Sequence, residues 1–104
     1  MWILGHEVPL KLSSESLVDA FGYFEKLAQE IYISSQYNQS TKETTVLHEI
    51  IEAINHIGNL ELTEPQIRQL EIGLYDTLVG AGIDLAPLTE ELEEKPKKKR
   101  KKKR

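Results

Sequence analysis

Thr44-Thr45-Val46-Leu47-His48-Glu49-Ile50-Ile51-Glu52-Ala53 is the stretch on which the reading of this chain turns. Val46, Leu47, Ile50, Ile51, Ile54 and Ile57 recur at the three-and-four spacing of an amphipathic helix. Just upstream, Ser40-Thr41-Lys42-Glu43 matches a capping box, in which the serine and glutamate side chains satisfy free N–H groups at a helix start. Gly58 offers a C-terminal stop. On such a helix His48 and Glu52 lie one turn apart on one face, and Glu49 sits about 100° further round.

Working outward toward the C-terminus, Thr63-Glu64-Pro65-Gln66 is a second capping box, with proline in the first turn where its missing N–H costs nothing. Ile67, Leu70, Leu74 and Leu78 form the apolar stripe of a second helix ending near Gly80. The four-residue link Asn59-Leu60-Glu61-Leu62 makes the two helices antiparallel neighbours. Beyond Gly82, residues 83–94 read as an acidic strap, and residues 95–104 as a disordered tail with nothing to bury.

Toward the N-terminus, Trp2-Ile3-Leu4 and Val8-Pro9-Leu10-Lys11-Leu12 flank Gly5 and predict a hairpin, with Pro9 restricting the second segment to an edge or a bulge. Ser13-Ser14-Glu15-Ser16 reads as a loop or a helix start. Residues 20–24 and 30–34 predict a second strand pair, in which Ile31-Tyr32-Ile33 is the best β-forming run. The expected fold is α+β: a small antiparallel sheet of two hairpins, then two antiparallel helices, within one domain over residues 1–82.

Composition bounds the function. The chain has 104 residues, enough for one modest core, and no cysteine, so any metal is held by His, Asp or Glu. No run approaches the roughly 20 apolar residues of a membrane span, and the first residues lack the basic and apolar regions of a secretory signal. A cytoplasmic protein is the expectation. The net charge of −4 hides an asymmetry: nine of the 13 basic residues lie in residues 95–104, so the remainder sets four basic residues against all 17 acidic ones and carries −13. The tail Pro96-Lys97-Lys98-Lys99-Arg100-Lys101-Lys102-Lys103-Arg104 binds polyanions without sequence preference, through Lys97, Lys98, Lys99 and Arg100 among others. In a eukaryotic setting, or as an appended segment, the same run reads as a monopartite nuclear-localisation signal.

In the pattern HExxH, two histidines on one helix face bind zinc and the glutamate between them activates water. Here the second histidine position is Glu52, giving HEIIE. Carboxylate oxygen is an acceptable zinc ligand, but a second one weakens the metal as a Lewis acid. Taken alone, the five residues also fit a solvated helix face. Glu71 lies beside the apolar stripe of the second helix, where an ionised carboxylate needs a partner. It either faces His48 and Glu52, completing a His/Glu/Glu set, or pairs with Arg68 or a tyrosine. His56 extends the His48–Glu52 stripe but reads as a helix-end histidine on the C-terminal dipole.

The Ile31-Tyr32-Ile33 strand, a short loop and the helix from Thr44 to Ala53 resemble the core of the ImmA/IrrE-type zincin metallopeptidases, where an I-x-I hairpin strand precedes a T-x-x-H-E-x-x-H helix. Residues 48–75, with Leu70-Glu71-Ile72-Gly73-Leu74-Tyr75 at their end, are similar to small phage-encoded proteins with HEIIHA or HEIIEA helices. The resemblance implies a minimal zincin-like fold, with His48, Glu52 and Glu71 as zinc ligands and Glu49 as the general base. It further implies that Ile31, Tyr32 and Ile33 form the edge along which an extended peptide pairs. The implied activity is zinc-dependent peptide hydrolysis, or a degenerate metal-binding descendant of it, acting on a host or phage regulator. Glu52 departs from the family pattern, which bears on hydrolysis more than on metal binding. The competing reading is a non-enzymatic acidic interaction protein that sequesters a host factor.

Overall fold

Ile31 and Ile33 are almost completely buried while Tyr32 between them points to the other face, the period-two alternation of a half-covered strand. That strand organises the fold. In a computed structural model of the protein, residues 1–13, 21–90 and 92 are described. The expected loop at residues 14–16, the first residue of the expected strand 20–24 and the basic tail fall outside them.

The described strands are β1 (Trp2–Ile3), β2 (His6–Glu7), β3 (Leu10–Ser13), β4 (Gly22–Glu25) and β5 (Glu30–Ser34), followed by helices α1 (Gln39–Gly58) and α2 (Glu64–Gly80). The class is α+β, as the sequence indicates, but the strand pairing differs from expectation in one respect. The Gly5 hairpin joins β1 to β2 and is complete in two residues per strand. Leu4 and Gly5 both have positive φ, the requirement of a tight two-residue turn whose twist suits a hairpin. β3, expected to be the second arm of that hairpin, instead lies parallel to β5, with Leu10 opposite Ile31 and Leu12 opposite Ile33. The tight turn closes at His6, and the proline without an N–H separates β2 from β3.

β4 and β5 form the expected antiparallel pair, giving a three-stranded sheet in the order β3-β5-β4. Gly22 is required there, because a Cβ would lie 2.6 Å from the Tyr32 carbonyl oxygen and 2.9 Å from a Thr45 methyl. On the outer face Tyr23 stacks on Tyr32 at 5.1 Å between centroids.

α1 covers the inner face. It begins two residues earlier than the Ser40 box suggests: Asn38 is the cap, its side chain accepting from Thr41 N–H at 2.9 Å. Asn59 in left-handed conformation ends it, one residue past the glycine expected to do so. α2 begins at the predicted Thr63 capping box, with both reciprocal bonds present, and runs to Gly80. Of its predicted stripe only Ile67 is buried, whereas Leu70 and Leu74 remain over 40% exposed.

The core comprises Ile3, Val8, Leu10, Ile31, Ile33, Val46, Ala53 and Leu92. Leu92 places the expected strap inside the packed unit. Leu85 and Thr89 are also buried, and the Gln39 side-chain amide donates to Thr89 Oγ1 at 2.7 Å. The unit therefore continues past residue 82 to Leu92. No helix among the described residues is long and apolar enough to cross a membrane.

Candidate metal centre

The two helices meet along a polar seam. Because they run antiparallel, advancing along α2 means retreating along α1, so Glu64 comes beside Glu52 and Glu71 beside His48. The link between them is pinned by the Asn55 side-chain oxygen, which accepts from Leu62 N–H at 2.8 Å. The Thr63 cap then fixes the first turn of α2 and with it Glu64.

His48 is the hub. Its Nδ1 lies 2.9 Å from Glu71 Oε1, and its Nε2 lies 3.4 Å from Glu52 Oε2. All three side chains are about four-fifths buried. Glu71 thus bonds His48, neither Arg68 nor a tyrosine. His48, Glu52 and Glu64 offer ligand atoms that all lie within 4.8 Å of one another. Among the described residues these three make up the group able to hold a metal ion, and Glu71 stands outside it.

The donor set fits a divalent ion. Two ligands of one tetrahedral zinc, with bonds of 2.0–2.1 Å, stand about 3.3 Å apart. The His48 Nε2 to Glu52 Oε2 separation is 3.4 Å. Glu52 and Glu64 also approach closely enough to hydrogen-bond, which two carboxylates do only by sharing a proton. Burial and that contact hold the Glu52 carboxyl above its ordinary range, with His48 opposing. A cation held between the two carboxylates would relieve their mutual repulsion.

Glu49 is the anomaly of the site. It is 6% exposed, accepts no hydrogen bond among the described residues, and faces an open cavity of about 470 Å³ that Phe21, Thr44, His48, Arg68 and Glu71 also line. Burial pushes its carboxyl to about 7; the His48 charge opposes this, while Glu52, Glu64 and Glu71 reinforce it. For His48, burial acts to lower the pKa, but the Glu71 bond and the Glu49, Glu71 and Glu52 charges together outweigh it and leave it raised.

The sequence therefore placed His48, Glu49, Glu52 and Glu71 in one neighbourhood, and the structure brings all four together. It did not single out Glu64, which was read only as part of a capping box; the helix-hairpin register was the signal that could have found it. His56 lies outside the cluster and packs against Phe24, with 5.7 Å between ring centroids. Ile31, Tyr32 and Ile33 require a correction. β5 is hydrogen-bonded on both sides, so it presents no edge to a peptide. The reason is that β3 takes the position beside β5 that a two-hairpin sheet would leave open. The edge beside the cavity belongs to β4, whose Gly22 lines it.

No protein-family model matches this chain, nor does any curated protein or solved structure with which it was compared. Fold and site together define an α+β domain with a one-histidine, two-carboxylate candidate metal centre.

Proposed function

We propose that this protein is a minimal zincin-like metallopeptidase, with zinc as its ion and a peptide as its substrate. The observation that carries the reading is Glu49, a largely buried side chain whose carboxyl opens into the cavity, beside a His/Glu/Glu donor set. A carboxyl raised by desolvation and lining a cleft beside metal-type donors is a candidate catalytic group. A zinc ion held there would supply Lewis acidity toward a scissile carbonyl. Glu49, beside the donor set, takes a proton from the attacking water and returns it to the leaving amine. His48, Glu52 and Glu64 hold and orient; the second carboxylate makes the centre electrically neutral and turnover slow. The substrate strand adds to the β4 edge beside the cavity. By resemblance to small phage proteins, the substrate is a regulator protein of the host or phage, met in the cytoplasm.

The test is metal analysis of the purified chain together with peptide turnover. One zinc per chain is expected, and Glu49→Gln should remove turnover while leaving the metal bound. A chain that purifies and titrates without metal sinks the reading.

The exposed apolar residues of α2, Leu70, Ile72, Leu74 and Val79, favour a second reading. In it the acidic body binds a host protein without catalysis, and the basic tail adds non-specific nucleic-acid affinity. Glu49→Gln is then silent, and the protein partner is retained when residues 95–104 are removed.

A further inference from the structure

An imidazole carries its two ring nitrogens on different sides, so one ion takes only one of them. In this structure the two sides of His48 are differently furnished. Nδ1 faces the Glu71 carboxylate at 2.9 Å, an ordinary charge-assisted hydrogen-bond length. Nε2 faces Glu52, with Glu64 inside the same 4.8 Å group. Glu71 is the carboxylate bonded at Nδ1, whereas the group whose ligand atoms lie within 4.8 Å of one another gathers two, Glu52 at Nε2 and Glu64 beside it.

We infer that Glu64 is the third metal donor, and that Glu71 is a positioning residue which holds His48 by Nδ1 and aims Nε2 at the ion. This rests on the metal-centre reading above and changes the ligand set that sequence resemblance implies. With the proton on Nδ1 donated to Glu71, the Nε2 lone pair is free for a metal, the arrangement in which carboxylate partners orient metal-binding histidines. Glu49 lines the open cavity on the other side of His48, with Glu71 and not with Glu52 or Glu64, so the Nδ1 side stays open to the cavity while the donors gather at Nε2. The fold also explains why Glu64 is available. The Thr63 capping box fixes the first helical turn, and Glu64 sits at its start, where it projects toward Glu52 across the hairpin.

The two roles separate by experiment, because glutamine is a poor metal ligand but a good hydrogen-bond acceptor. Divalent cobalt is titrated into the metal-free full chain, with binding and the visible absorption bands of the ion as readouts. The wild-type chain should take up one cobalt. Glu71→Gln still accepts from Nδ1–H and should stay close to wild type, while Glu71→Ala should bind about 10- to 100-fold more weakly with unchanged bands. Glu64→Gln should lose more affinity than Glu71→Ala and alter the bands. Glu64→Asp, which retracts the oxygen while keeping the charge at the helix start, should behave likewise and guards against a folding defect in the first variant. The assignment is overturned if Glu71→Gln loses the ion or shifts its bands while both Glu64 variants leave them untouched. Wild-type chain that binds no cobalt and no zinc would instead remove the metal centre itself.

Discussion

The two helices of this protein have similar length and opposite economies of contact. α1 buries Thr45, Val46, Leu47, Glu49, Ile51 and Ala53, packing against the sheet on one side and α2 on the other. α2 buries only Ile67 and leaves Leu70, Ile72, Leu74 and Val79 in water. α1 is thus held by apolar burial, the large and non-directional force in folding. α2 is held by its cap, by the short link and by the polar seam through Glu64 and Glu71. The candidate metal centre spans the join between a firmly packed element and a loosely packed one.

The sharpest way to break this comparison is to remove comparable side chains from each helix. Ile51→Ala should cost about 2–5 kcal/mol, since Ile51 is 5% exposed and its loss leaves a cavity. Leu74→Ala should stay within about 0.5 kcal/mol, as for an ordinary surface change. Urea unfolding of both variants measures the difference, and equal losses would mean that α2 is as deeply packed as α1.

A smaller effect is expected from the cap. Thr63→Ala should cost about 1 kcal/mol, and because α2 has few buried contacts the loss should appear locally. Amide hydrogen exchange should quicken along α2 and hardly change in α1. Added zinc should slow the α2 amides, because an ion between Glu52 and Glu64 ties the helices together. Uniform exchange across both helices would contradict the contrast.

The mildest test uses pH on metal-free protein. Glu49 is raised from 4.5 to about 7 in the fold, by burial first. Between those values the folded chain holds a proton that the unfolded chain releases, so stability is highest below the unfolded value and falls as pH rises through about 7. His48, raised above 6.5 despite its burial, adds in the same direction. Glu49→Gln should flatten this slope, leaving the Glu52 and His48 parts. A wild-type stability that increases from pH 5 to 7 would contradict the Glu49 shift.

Much of the site was legible because it depends on short-range geometry. The four-residue spacing of His48 and Glu52 puts them on one face of any α-helix, and Thr63-Glu64-Pro65-Gln66 states a helix start directly. Glu71 was placed near His48 by the short link alone. What that reasoning lacked was the atom-level register: which His48 nitrogen each carboxylate meets, and that Glu64 rather than Glu71 joins Glu52. The same limit explains the strands. Ile31-Tyr32-Ile33 announces a strand by its residue types, but its neighbours are a long-range choice, and β3 settled parallel to it.

By itself the sequence determined the two helices, the Thr63 cap, the hairpin at Gly5 and the grouping of His48, Glu49 and Glu52, since each follows from backbone preference and periodicity over a few residues. Only the tertiary structure decided the strand order, the exposure of α2 and the partnership of Glu52 with Glu64. Those depend on how separate elements share one small core, and residues distant in the chain carry no local signal of whom they will meet.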